Sequence, residues 1–192
     1  AMVDVARISQ SGALGIDCPL MDSVTMIKKL VGFDTVSRES NLPLIDFVQN
    51  FLYDQGIDSR RVLSANGQKS NLIATVGPEQ AGGVVLSGHT DVVPVDGQDW
   101  DSDPFTLMRS GSRLYGRGSC DMKGFIGIAL ALVPKMVNLR RPIHFALSYD
   151  EEVGCLGAPD MIEVIRSELP EPQGVIVGEP TTMGAVIGHK GM

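Results

Sequence analysis

Gly83-Val84-Val85-Leu86-Ser87-Gly88-His89-Thr90-Asp91 is an apolar run closed by a histidine and, two residues on, an aspartate. A short, almost unbroken apolar stretch bounded by glycines has the length and pattern of a buried strand. The run predicts a strand over 84–86, with His89 and Asp91 delivered just past its end. Similar runs recur downstream. Ile143 to Ser148 and Val175 to Val177 read as strands, and each leads into carboxylates, Asp150-Glu151-Glu152 in one case and Glu179 in the other.

Helical periods separate these strands. Met122 to Met136 reads as a helix whose last turn is ended or distorted by Pro134, and Ala158 to Glu168 as another. Strand alternating with helix predicts right-handed crossovers and an α/β fold, a three-layer α/β/α arrangement with a mixed, mostly parallel sheet. In such sheets sites form beyond the carboxyl ends of the strands, where His89, Glu151, Glu152 and Glu179 all fall.

Upstream, Val24, Ile27, Leu30 and Val31 give a helical period within Asp22–Val36, with Asp22 or Ser23 as cap. A second helix is expected from Asn41, with Pro43 in its first turn, a stripe of Leu44, Phe47, Val48, Phe51 and Leu52, and Gly56 as its stop. Arg61–Leu63 and Asn71–Val76 read as short strands about an Asn66-Gly67 turn. Pro94 to Ser112 is read as one long polar loop, and Gly184 to His189 as a last strand.

Length and charge narrow the function classes. At 192 residues one domain is expected, and a formal charge of −7 disfavours nucleic acid or an anionic membrane surface as partner. No stretch reaches the roughly 18 apolar residues of a membrane span. Cys18, Cys120 and Cys155 are odd in number and widely spaced, which argues for a reducing cytoplasm rather than a disulfide framework. Ala1-Met2 reads as an extra residue ahead of an initiator methionine, without the features of a signal peptide.

Each polar motif has a chemical reading and a plainer one. A neutral imidazole at His89 suits zinc, and Asp91 can accept its other N–H. Alternatively His89 caps a strand beside a turn aspartate. Asp121, in the glycine-rich Gly116-Arg117-Gly118-Ser119-Cys120 approach to a helix, is a candidate bridge between two metals. It could equally be an N-cap or part of a phosphate cradle. Among Asp150-Glu151-Glu152, one acid could ligate a metal and its neighbour act on a bound water, or all could face solvent. Glu179 is either a further ligand or a turn residue before Pro180. Their order, each at a strand's end, points to a metal-dependent hydrolase.

The motifs resemble those of the zinc-dependent aminoacylase and exopeptidase family that includes acetylornithine deacetylase, succinyl-diaminopimelate desuccinylase and carboxypeptidase G-type enzymes. The resemblance runs from about Met21 to the end. It rests on Ser87-Gly88-His89-Thr90-Asp91-Val92-Val93-Pro94, on Leu114 to Gly118 with Asp121-Met122-Lys123-Gly124, on Asp150 to Gly154 and on Gly178-Glu179-Pro180-Thr181. Trp100 with Asp103-Pro104-Phe105, Met122 to Phe125, and Gly188-His189-Lys190-Gly191 look most like the deacetylase branch.

The resemblance implies a zinc-exopeptidase-like catalytic domain holding two zinc ions, with cobalt able to substitute. His89 and Glu179 would hold one metal, Glu152 the other, and Asp121 both. Asp91 would support His89 and Glu151 would be the general base. A cis peptide after Asp121 is also implied, costly for a non-proline bond. The implied reaction is removal of the acyl group from an N-acyl amino acid, N-acetylornithine first, which would place the protein in arginine biosynthesis. A desuccinylase, a dipeptidase or an inactive metal-binding fragment are the alternatives. The substrate would be a small molecule, and a homo-oligomer is expected. Family members are longer, so residues 1–192 are expected to be the amino-terminal portion of the catalytic domain. The lid and dimerisation domain and the carboxyl-terminal remainder, with a further metal-binding histidine, would then be absent. His144 and His189 are not expected to replace that histidine.

Overall fold

The computed structural model of the chain describes residues 3–4 and 21–187. The described chain opens with β1 (Val3–Asp4), α1 (Ser23–Val31) and α2 (Leu42–Asp54). A hairpin of β2 (Ser59–Leu63) and β3 (Ser70–Val76) precedes β4 (Val84–His89). A small second hairpin follows, β5 (Met108–Ser110) with β6 (Arg113–Tyr115). Then come α3 (Lys123–Leu132), β7 (Ile143–Ser148), α4 (Ala158–Glu168) and β8 (Gly174–Val177).

The main sheet has the order β2-β3-β7-β4-β8. β4 runs parallel to β7 on one side and to β8 on the other, so the three share a carboxyl-terminal rim. The expected mixed α/β sheet is present. Its parallel pairing is confined to these three strands, because β3 turns back from β2 in a hairpin and meets β7 antiparallel.

Alternation along the strands builds the two faces. Leu72, Ala74 and Val76 of β3, with Phe145 and Leu147 of β7, pack under α1, α2 and α3. Ile73, Val85 and Ala146 point the other way, against Met161 of α4. Helices therefore cover both faces, as the three-layer expectation requires. Leu30, Leu44, Leu52 and Leu130 are all completely buried in the larger cluster. Each such side chain contributes about 1.5–3 kcal/mol over its exposed state. The Asp22 carboxylate accepts from Thr25 N at 2.7 Å and starts α1 as the expected cap.

Three expectations need correction. α1 stops at Val31 rather than Val36. Gly32 caps it, and Val36 is drawn into a parallel bridge with Val92 beside the end of β4. The 94–112 segment is not all loop: Met108–Ser110 pairs with Arg113–Tyr115, and Val3–Asp4 pairs with the latter. The buried Leu114 fastens that sheet to Ile27 and Val31 of α1. Residues 184–187 form no strand, and the rest of the expected Gly184–His189 strand lies outside the described residues.

Candidate metal centre

His89 is the last residue of β4, opposite Ser148 of β7, and only 2% of it is exposed. Thr90 locks the strand end, since both its backbone N and its hydroxyl donate to Ser148 O at 2.8 Å. The His89 ring is then oriented from below. Nδ1 lies 2.9 Å from the Asp91 carbonyl oxygen, which can only accept, so Nδ1 carries a hydrogen. That leaves Nε2 as the outward atom. It lies 3.0 Å from Asp121 Oδ1, 3.6 Å from Glu179 Oε1 and 3.9 Å from Glu151 Oε2.

Asp91 works behind the histidine. Its carboxylate accepts from Ser37 Oγ at 2.6 Å, from Glu151 N at 3.0 Å and from Glu152 N at 3.3 Å. The nearest contact between its carboxylate and His89 Nδ1 is 3.5 Å, longer than the main-chain contact. One buried carboxylate thus ties the end of β4 to the acidic turn after β7 and to the linker before α2. Burial opposes ionisation of Asp91, but the bonds from His89 and Ser37 prevail and hold its carboxyl below the usual range.

Two overlapping triplets result. His89, Asp121 and Glu179 each offer a donor atom within 4.8 Å of the others, and so do His89, Glu151 and Glu152. Asp150 does not join them: its carboxylate is paired with the half-buried Lys69 ammonium, which also donates to Ser37 O. The peptide between Asp121 and Met122 is cis, as expected, and Met122 Sδ lies 3.2 Å from His89 N. Gly118 brings the chain to Asp121 with φ +76°, and a Cβ there would lie 2.7 Å from Val92 Cγ1. At Gly178, before Glu179, a Cβ would clash with the Phe125 ring, 2.1 Å from its Cγ.

The electrostatics point to a cation. Burial pulls the His89 pKa down, yet Asp121 and Asp91 outweigh it and raise it to about 11. The His89 bond lowers Asp121. Burial, then Asp121, raises Glu152. Glu179 is pushed up to about 7 by burial and by Asp121 and Glu151, against the pull of His89. Without metal the imidazole holds a proton between the acids, and the acids it cannot neutralise are driven toward protonation. A divalent cation beside Nε2 satisfies both demands. A nitrogen and carboxylate donor set of this kind suits zinc and similar ions.

The sequence-predicted residues His89, Asp91, Asp121, Glu151, Glu152 and Glu179 therefore converge on one rim. His144 does not. It sits at the other end of β7, with Nδ1 2.9 Å from Thr75 Oγ1. His189 lies outside the described residues. Ser37 and Lys69 lie beyond the reach of sequence reasoning as supports, and nothing in their local sequence marks them. Met122 lies in a quoted motif, but its sulfur contact with His89 N comes only from the fold. Beside the centre opens a cavity of about 450 Å³, whose walls include Gln98, Asp99, Trp100, Arg117, Asp121 and Glu152.

The sequence pattern of peptidase family M20/M25/M40 matches residues 85–190, more than half of the chain. The chain belongs to the peptidase family M20/M25/M40. Among curated M20/M25/M40-type relatives, an acetylornithine deacetylase from Myxococcus xanthus is 38% identical over 170 residues, covering 86% of this chain and 43% of that protein. Another, from Buchnera aphidicola subsp. Acyrthosiphon pisum, is 31% identical over 176 residues, covering 88% of the chain and 45% of the relative. The chain thus spans less than half the length of these relatives. The fold agrees: an M20 family metallo-carboxypeptidase from Sulfolobus solfataricus superposes with a TM-score of 0.71 at 20% identity, over 81% of this chain and 37% of that one.

Proposed function

We propose that the chain supplies the metal-binding and proton-transfer groups of an amide hydrolase acting on an N-acyl amino acid, with N-acetylornithine as the first substrate to try. The observation that carries this reading is His89 Nε2, aimed at Asp121, Glu179 and Glu151 while Nδ1 is locked from behind. The likeness to acetylornithine deacetylases supports the choice of substrate, and with it a place in arginine biosynthesis. His89 and Glu179 would hold one zinc, Glu152 a second, and Asp121 both, with cobalt as a substitute. A divalent ion held there supplies polarisation of the acyl carbonyl and a lowered pKa for an adjacent water.

The chain's own residues do the rest. Glu151 takes the proton of the attacking water and returns it to the leaving nitrogen as the amide bond breaks. Asp91 fixes the His89 ring, and through the Glu151 and Glu152 amides it fixes the acidic turn relative to that ring. We read the chain as the amino-terminal portion of such a catalytic domain, a view supported by its share of the relatives' length. The exposed Val175, Ile176 and Val177 on β8 support self-association. Free thiols at Cys120 and Cys155 favour the cytoplasm. Among the described residues no helix is long and apolar enough to cross a membrane.

Equilibrium dialysis against zinc, paired with turnover of N-acetylornithine by a protein carrying this chain, tests the assignment. Glu151→Gln should abolish most turnover and leave metal content unchanged. Glu152→Gln should instead weaken retention of one metal. Reversal of those two effects would show the roles to be exchanged. Unchanged metal uptake in His89→Ala would remove the centre altogether.

A further inference from the structure

The walls of the cavity beside the metal centre include a cation, Arg117, that no acid among the described residues pairs with. Arg117 follows β6 in the glycine-rich loop, and its backbone N donates to Pro104 O at 2.7 Å. The guanidinium carbon sits 5.2 Å from the centroid of the Trp100 ring. Nη2 donates to Gln98 Oε1 and, at 3.5 Å, to Pro94 O. Gln98 Oε1 also accepts from Trp100 Nε1 at 3.1 Å, and Gln98 Nε2 donates to Pro94 O at 3.0 Å. The amide is therefore held with its oxygen toward the guanidinium.

Every one of these acceptors is neutral. Among the described residues no carboxylate oxygen lies within the 4.0 Å of an ion pair with Arg117, a lack it shares with several surface arginines. What sets it apart is its place on the cavity wall, held by Trp100 and Gln98. Arg117 Nε is buried with no acceptor, and none of its bonds engages Nη1. A guanidinium carries five donors in a planar fork matched to a carboxylate. Here the fork is pre-positioned by an aromatic face and an amide, and most of it is unused. The cavity of about 450 Å³ connects it to Asp121 and Glu152.

We propose that Arg117 anchors a carboxylate of the substrate in the cavity it shares with Asp121 and Glu152. This rests on the function proposed above and adds the group that recognises the substrate's charge. The carboxylate is either the α-carboxylate of the amino acid or the distal carboxylate of a dicarboxylic acyl group. Asp99, Asp121 and Glu152 on the same walls repel an anion in the metal-free chain, so binding is coupled to metal loading.

Trp100 is the single tryptophan of the chain, and its fluorescence reads this cavity without any need for turnover. The zinc-loaded and chelator-treated chains are titrated with N-acetyl-L-ornithine, with its α-carboxamide, and with the α-carboxamide of N-succinyl-L-ornithine. Zinc uptake is measured separately on the same samples. A saturable change with either carboxylate-bearing ligand, absent with N-acetyl-L-ornithine amide and weaker without zinc, is the expected result. Which of the two responds identifies the source of the carboxylate. Arg117→Met should weaken that response about tenfold or more, and Arg117→Lys should restore part of it. Zinc uptake with equal responses to acid and amide, or with none, overturns the role of Arg117 and leaves the metal centre standing. That comparison needs only the unaltered chain, so it decides the matter even if the Arg117 variants fold poorly. Absence of zinc uptake overturns the metal centre and this anchor together.

Discussion

His89 makes two contacts of opposite chemical meaning, an Nδ1–H given to a carbonyl and an Nε2 turned toward acids. Because Asp121 and Asp91 overcome burial and raise its pKa to about 11, the metal-free chain holds the imidazole protonated at neutral pH. A metal must displace that proton. Apparent zinc affinity should therefore rise roughly tenfold per pH unit across the neutral range. Chelator competition at several pH values measures the slope, and calorimetry in two buffers measures the released proton. A flat profile would contradict the geometry. The sign reverses for the metal-free fold. A folded pKa raised above the ordinary histidine value of 6.5 stabilises fully below that pH and loses its contribution as pH climbs toward 11.

At the scale of elements, α3 begins two residues after Asp121 with a lysine buried to 0% exposure, whose Nζ donates to Phe33 O at 2.7 Å. Burial lowers the Lys123 pKa from 10.5 to about 7, against the attraction of Asp34 and Asp91. The unfolded chain thus binds a proton that the folded chain does not between those two values. The contribution of Lys123 is complete above 10.5 and is lost as pH falls to about 7. Urea melts should show stability rising with pH through that window in the parent, less steeply in Lys123→Met. Equal slopes would mean the ammonium stays charged where it lies. The elements themselves were legible wherever punctuation and periodicity agreed: α2 between Pro43 and Gly56, and α4, whose Ala158–Glu168 bounds match the reading. The β5–β6 hairpin was not legible, since Met108, Arg109 and Ser110 are all exposed and Leu114 alone is buried among its close partners. The site acids were readable because Glu151, Glu152 and Glu179 each follow an apolar run and Asp121 closes a glycine-rich approach to a helix. Ser37 and Lys69 were not, because their partners at positions 91 and 150 are distant in sequence and only the folded sheet brings them together.

At the scale of the whole molecule, the sheet ends on β8, an edge strand among the described residues, with Val175, Ile176 and Val177 each more than half exposed. An apolar edge with unpaired backbone groups recruits another chain, and a charge placed on it blocks that. The 192-residue chain should self-associate with rising concentration in sedimentation velocity, and Ile176→Lys should shift it toward monomer. A monomeric parent would refute this use of β8. The placement of the metal centre has a kinetic consequence as well. Its donors run from position 89 to position 179 and come from the last residue of β4 and from loops after β7 and β8 and before α3. They meet only once the parallel strands have found their register, so no early folding nucleus can contain the site. Contacts absent from the transition state act on the escape from the native basin. Bound zinc should leave the refolding rate nearly unchanged while slowing unfolding, so the ion would act as a latch that closes after the chain has already found its shape.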